Sequence, residues 1–446
     1  MSGTTTDTST ESTQAGGGGV LGAALRGGAW ALVGTVVGRL ANTAVLLVAA
    51  ATLGSTDFGG VSIAISTVLV VASVSALGLP VAAQKLVAEA GDRDVARRER
   101  LIDVTAVLAV AVGVLVAVCF YAGSGLVASL ALGDAGLALA VAAAAPLVLT
   151  TPFIEVLAGL LAARERFRSV GVLRAQHGIG AAVAVGIALA VAPGTFETLL
   201  ALAAGEILTC CVGWWLLNRA RDPRVRRVRL PRENVRTVAR ALLAVSLPAM
   251  LASVALQPAM WVGQLTLAHH PDGLAAVGLF AVALRWHAIA LFVPATMGSV
   301  LLPMLGRLRA TGRTDDARAL FLRYGGLTLV FSTLACLVLV VGASLLMGLQ
   351  GAEYLAGAGI LTVLAVAVVP TALNNVLSQR AVAEGRLALW VVSDVALAVT
   401  LLVCALLLVP RMGGVGLAFS YLAAYVATCL VLLPIALGRR RAEPAP

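Results

Sequence analysis

Between residues 28 and 437 the sequence is a succession of apolar runs, each about 20 residues long, and a chain written this way has few folds open to it. A run of that length, coiled at about 1.5 Å per residue, matches the roughly 30 Å hydrocarbon core of a bilayer. The runs fall near 28–53, 58–79, 102–122, 136–161, 169–192, 196–217, 240–268, 274–304, 320–349, 355–378, 387–409 and 413–437. With 60% hydrophobic and only 12% charged residues, and a mean hydropathy of +0.98, the composition excludes a soluble globular protein of this size. The expectation is an all-α polytopic membrane protein of about 12 transmembrane helices.

The segments between runs alternate in charge. One set holds Lys85 and Arg93 to Arg100, Arg164 to Arg174, Arg219 to Arg240, Arg307 to Arg323, Arg380 with Arg386, and the terminal Arg439, Arg440 and Arg441. The other set, at 55–57, Gly133, 193–197, 269–273 and 348–353, has no Lys or Arg, and its last member, near Arg411, has one. By the positive-inside rule the first set and both termini are cytoplasmic, in a multi-pass cell-membrane protein. The net charge of +10 is therefore a topology signal, and no nucleic acid is expected as a partner. Residues 1–25, rich in Ser, Thr and Gly with no basic residue before Arg26, read as a disordered cytoplasmic tail and not as a cleaved signal. The six cysteines lie in apolar stretches without metal-ligand spacing. No nucleotide loop, nucleophile constellation or cofactor motif is present, so neither an enzyme nor a cofactor is expected.

The chain also repeats itself with a period of about 219 residues. Pro152 in TTPFIEVLAGLLAARERF matches Pro370 in VVPTALNNVLSQRAVAEGR, and the stretch from Gly59 to AGDRDVARR matches the stretch from Gly278 to ATGRTDDAR. The expected organisation is a six-helix lobe at 26–217, a basic cytoplasmic linker at 218–239, a second six-helix lobe at 240–437 and a short tail at 438–446. Equal lobes facing one another create an interface at the bilayer midplane, where transporters hold their substrate.

Charges inside the runs are costly, roughly 3 kcal/mol each on insertion scales, so each needs a partner or a watery cavity. Arg39 follows Arg26 by 13 positions, about 20 Å of helix, with Thr35, Asn42 and Thr43 on its face. Arg285 lies about 15 Å inside its run by the same rise. Either each neutralises a nearby acid, or the two line a cationic cavity for an anionic ligand, where the guanidinium fork fits phosphate oxygens. Ser246, Ser253, Gln257, Trp261 and Gln264 share one stripe of the seventh run, suited to interhelical hydrogen bonding or to a sugar. Glu155, Glu206 and Asp394 are candidates for proton or sodium coupling, or counter-ions to Arg39 and Arg285. His287 reads as a packing residue, and His269 and His270 in a turn are not expected to hold a metal. Prolines 152, 248, 258, 294, 303 and 370 imply kinked helices.

The stretches LGSTDFGGVSIAIS and ALGLPVAAQKLVAEAGD, with VGLFAVALRW, VLLPMLGRL, LLMGLQGAEYLAGAGIL and VPRMGGVGLAFSYLAAY in the second half, resemble the polysaccharide-exporter and O-antigen flippase family of the multidrug/oligosaccharidyl-lipid/polysaccharide exporter superfamily. The resemblance covers nearly the whole chain after the tail. It implies two six-helix bundles in a V, and transfer of a polyprenyl-phosphate or -pyrophosphate oligosaccharide from the cytoplasmic to the outer leaflet by alternating access. It also implies cavity arginines on the first and eighth spans for the headgroup phosphate, the spans of Arg39 and Arg285; the polar faces read above make Asn42, Ser253, Gln257 and Gln264 the candidate lining of that cavity. The implied partners are the lipid-linked oligosaccharide, the bilayer and a glycan polymerase or glycosyltransferases. The alternatives are a cation-coupled drug or toxin exporter of the same superfamily, a major-facilitator fold, and a non-transporting scaffold of a glycan-assembly complex.

Overall fold

The computed structural model describes residues 15–90, 94–133, 135–220, 235–253, 256–295 and 313–436. The linker expected at 218–239 and the two tails lie largely or wholly outside them. Among the described residues there are helices and no strand, as hydrocarbon demands of a chain that must satisfy its peptide groups within each segment. In chain order the helices are α1 (Ala15–Ser75), α2 (Leu79–Ala90), α3 (Val95–Ala122), α4 (Ala145–Ala163), α5 (Phe167–Val191), α6 (Thr195–Arg219), α7 (Val235–Ser253), α8 (Leu256–Ala268), α9 (Gly273–Ala290), α10 (Thr314–Gly348), α11 (Ala358–Ala383) and α12 (Leu387–Ala436), with short helical turns between α3 and α4 and before α11.

Among the described residues nine helices are long and apolar enough to cross a membrane, and two of these, of 48 and 47 residues, are double length. Straight, each would run about 70 Å, more than twice the hydrocarbon thickness. Each instead turns on a glycine in the left-handed region, Gly54 (φ 80°) in α1 and Gly413 (φ 54°) in α12. That conformation is strained for any residue with a Cβ. The first leg of α1 and the start of α2, which follows its second leg, both reach the corner between α4 and α5, where the Trp30 carbonyl abuts Gly171 and the Pro80 carbonyl abuts Gly159. In α12 the Leu408 carbonyl abuts Gly416 in the same way. With each double helix counted as two crossings, and α7 with α8 as one, the described helices supply the twelve crossings expected.

The turns sort to two ends. One end gathers Ser55, Asp57, Thr195, His270, Glu353 and Gly413: Thr195 Oγ1 donates to the Asp57 carbonyl at 3.3 Å, and His270 lies against Gly413. The other gathers arginines. Arg164 is ion-paired to Glu99 and donates to the Ala220 carbonyl at 2.8 Å, while Arg380 pairs with Glu384 at 2.8 Å and lies over the Phe321 ring.

The apolar core differs between these ends. Toward the turn end, one continuous buried cluster joins both halves, from Leu46, Ala49 and Phe58 through Val277, Phe280 and Tyr354 to Leu417 and Tyr421. Toward the arginine end it divides. Leu79, Leu86, Ile102, Leu157, Leu161 and Leu173 form one cluster with Leu242, and Phe321, Tyr324, Leu377 and Leu432 form another. The seventh span is shared between them: α7 packs on α2 and α3, while its continuation α8 packs on α12.

Candidate functional site

The two halves meet where the second leg of α1 crosses α9, and the meeting is reciprocal. A Cβ on Gly59 would lie 1.9 Å from the Leu274 carbonyl oxygen, and a Cβ on Gly278 would lie 1.9 Å from the Ser55 carbonyl oxygen. Ser55 and Leu274 are 219 residues apart, as are Gly59 and Gly278, so each half offers the same patch to the other. That is the geometry of a two-fold contact. Gly54 and Gly273, which open the two legs, also correspond, and both have positive φ. Side chains seal the seam. The Ser55 amide and hydroxyl donate to Glu353 Oε1 and Oε2 at 3.2 and 2.8 Å, the buried Tyr354 hydroxyl donates to the Ala50 carbonyl at 2.9 Å, and Trp261 Nε1 donates to Thr67 Oγ1 at 2.9 Å.

Positions 55, 59, 62 and 66 share one helical face, as do 274, 278, 281 and 285. Followed away from the contact, the second stripe leads to Arg285 and the first to its repeat mate Ser66. Arg285 is half-buried, and among the described residues no carboxylate forms an ion pair with it. His287, two positions on, is buried with Nδ1 2.8 Å from the Leu364 carbonyl, a packing role.

Arg39 lies elsewhere, on the first leg of α1. That leg is held against α5 by glycines: a Cβ on Gly34 would meet the Gly171 carbonyl at 2.0 Å, one on Gly38 the Arg174 carbonyl at 2.1 Å, and one on Gly178 the Gly38 carbonyl at 1.8 Å. Such close approach needs residues without side chains at the crossing. It sets exposed Arg39 beside a charged cluster. Arg174 holds Glu155 of α4 by two bonds, Nη1 to Oε1 at 2.5 Å and Nη2 to Oε2 at 2.7 Å, and Arg39 is within electrostatic reach of the same carboxylate. His177 lies one turn beyond Arg174 and interacts with both members of the pair. Behind them Glu206 of α6 accepts from Thr150 Oγ1 at 2.5 Å and Thr151 Oγ1 at 2.9 Å.

The counter-ion of Glu155 is thus Arg174, where sequence reasoning offered Arg39 or Arg285. Arg174 was grouped with the basic turn because it follows Arg166 and Arg168 closely, yet it stands two turns inside α5. Its spacing from Gly171 and Gly178, three and four positions, marks the face that meets α1 and was the available signal. Asp394 sits apart in the second half, half-buried near Tyr425. Asn42, Gln257 and Gln264 are half-buried, and the Ser253 side chain lies outside the described residues.

A family model described as "Polysaccharide biosynthesis protein" matches residues 24–309, well over half of the chain. The chain belongs to that family. It is similar to the "EPS I polysaccharide export inner membrane protein EpsE" of Ralstonia nicotianae, 29% identical over 393 residues and 84% of each chain. A protein of the same description from Ralstonia solanacearum is 31% identical over 195 residues, 42% of this chain and 43% of that one. Among solved structures, an inward-facing multidrug resistance MATE family transporter of the MOP superfamily superposes with a TM-score of 0.73, 16% identity, and cover of 92% of this chain and 94% of that one. A MOP superfamily transporter from Pyrococcus furiosus gives 0.68, 15%, 93% and 95%. An outward-facing MATE structure gives 0.65, 17%, 93% and 95%. The chain is a multi-pass membrane protein of the polysaccharide biosynthesis family, with an all-helical fold like that of these solved transporters.

Proposed function

We propose that the protein carries a lipid-linked oligosaccharide, bearing a phosphate or pyrophosphate headgroup, across the membrane by alternating access. One observation carries the reading: among the described residues a single apolar core joins the halves at the turn end, while at the arginine end the core divides into two clusters, one of first-half residues with Leu242 of α7 and one of second-half residues. In this reading the halves are joined at the turn end and part at the arginine end to admit the substrate. Arg285 lies on the facing stripe below the joint, and a guanidinium there that no carboxylate among the described residues pairs with attracts an anion and not a neutral drug. The basic end, with both termini, is assigned to the cytoplasm, so the headgroup enters from the inner leaflet while its polyprenyl tail stays in lipid. A membrane potential negative inside favours outward movement of an anion by about 2.3 kcal/mol per charge per 100 mV.

The test is a leaflet-accessibility assay in proteoliposomes with a fluorescent lipid-linked oligosaccharide, comparing wild type with Arg39→Ala and Arg285→Ala. Loss of a charge-assisted contact of about 1.5–3 kcal/mol predicts roughly tenfold or more slower transfer for Arg285→Ala. Both variants transferring at the wild-type rate would exclude the reading. A wild type that moves no lipid would favour the scaffold. The second reading, a cation-coupled exporter, is favoured by Glu206 and its two threonine hydroxyls. It predicts that Glu206→Gln abolishes export driven by an imposed ion gradient while Arg285→Ala leaves it intact.

A further inference from the structure

We infer that Glu155 is a built-in stand-in for the substrate's headgroup: its carboxylate occupies on Arg174 the two-pronged face a phosphate takes, and Arg174 with Arg39 forms the anion site of the first half. This rests on the reading that the substrate carries a phosphate.

Four observations carry it. The first is shape. Both terminal nitrogens of Arg174 engage both oxygens of Glu155, at 2.5 and 2.7 Å, and the same fork fits two oxygens of a phosphate.

The second is access. The Glu155 and Arg174 side chains are 48% and 29% exposed. The neighbouring ion pair of the same half, Glu99 with Arg164, is 3% and 4% exposed. A sealed pair is a clamp, because breaking it strands a charge away from water. An exposed pair can change partners without stranding a charge in a sealed interior.

The third is the placing of other charges. Arg39 acts on Glu155 from α1, and the Glu155 charge in turn acts on Glu206. A Glu155 displaced from Arg174 therefore keeps a cation in reach. The glycine seam holds the platform, since Gly38 rests on the carbonyl of Arg174 itself.

The fourth comes from the repeat. By the matching turns at Glu165 (φ 57°) and Gly385 (φ 70°), 220 residues apart, Glu155 becomes Asn375 and Arg174 becomes Asp394, and by the 219-residue register of Gly54 and Gly273 Arg39 becomes Pro258. The second half folds into corresponding helices without the pair, so the pair is not a requirement of the helical packing. It belongs to what the first half alone does.

The mechanism follows from exchange. An arriving phosphate takes Arg174 and Arg39, Glu155 swings off, and on release of the headgroup the carboxylate returns and clears the site. Glu155 would then lower affinity and speed release.

The experiment measures binding of fluorescent farnesyl pyrophosphate to the purified full-length protein in nanodiscs, with inorganic pyrophosphate as competitor. Arg174→Ala is expected to weaken binding at least tenfold, whereas Glu155→Gln is expected to tighten it about fivefold and to slow dissociation. The reversed pair, Glu155→Arg with Arg174→Glu, is expected not to recover wild-type affinity. Glu155→Gln weakening binding as Arg174→Ala does, or the reversed pair restoring it, means a structural bridge and overturns the inference. If Arg174→Ala fails to fold, Glu155→Gln decides alone. Competition by inorganic pyrophosphate at concentrations near that of the lipid assigns the site to a free anion and overturns the headgroup assignment, and competition only far above it supports the headgroup. Binding that responds to Arg285→Ala but to neither Glu155→Gln nor Arg174→Ala sinks this inference and leaves the proposed function standing. Wild type that binds no probe removes both.

Discussion

Glu353 reaches across 298 positions of sequence to bond the amide and hydroxyl of Ser55, and with Tyr354 on the Ala50 carbonyl it fastens the turn end. Glu353 is itself exposed, so its two bonds contribute about 0.5–1.5 kcal/mol each, and Glu353→Ala should shift the lobes toward separation at this end by about tenfold. In a chain stripped of its six native cysteines, a single cysteine at Ala50, fully buried in the seam, should then react with a water-soluble maleimide about ten times faster. An unchanged rate would mean the bond does not hold the end shut. At this scale the sequence is uneven evidence. Arg39 and Arg285 stand out because a cation far from any turn has no cheap explanation. Arg174 does not, because a cation one or two turns from a basic loop can extend to the interface. Glu353 and Ser55 do not, because polar residues in turns are ordinary, and nothing local says which turns meet.

Glycines decide how the helices pair. A side chain at Gly38 would enter the carbonyl of Arg174, and one at Gly34 that of Gly171. Gly38→Leu should therefore force α1 and α5 apart, at an overpacking cost of about 1–3 kcal/mol, read as a lower thermal midpoint in detergent and a loss of anion binding. Gly186→Leu on the same α5 has open space at its Cβ and should stay within about 0.5 kcal/mol of wild type. Equal effects would show that the seam is not where the packing is decided. The spans themselves were legible, since a run of 20 apolar residues has one common use in a bilayer. The tight turns at Gly54 and Gly413 followed from the count of spans. The glycine pairs at 34 and 38, and at 171 and 178, were in plain view as letters. They were not legible as contacts, because a glycine in apolar sequence has several uses and only the partner helix tells which applies.

For the molecule as a whole, the repeat was readable from two matched stretches of sequence, and the reciprocal contact of Gly59 with Gly278 gives it a physical axis. Which end the halves share was not readable, because it depends on the faces that meet and not on the helices that exist. Nor was the divided seventh span, whose α7 leans on α2 and α3 while α8 stays with α12; a boundary drawn in the linker assigns both to one side. Cysteines replacing Ser55 and Glu353, joined by a short reversible cross-linker in the cysteine-free chain, should stop transfer of the labelled lipid, and reduction should restore it. Transfer that continues through the cross-link would show that this end never needs to open. The contact has one more consequence. Six crossings return a chain to the side where it began, so both halves insert the same way up, and a patch that fits its own duplicate is what two copies of a half-length ancestor would have used to dimerise. Severed within the linker and produced as two polypeptides, the pieces should still find one another in the bilayer and work.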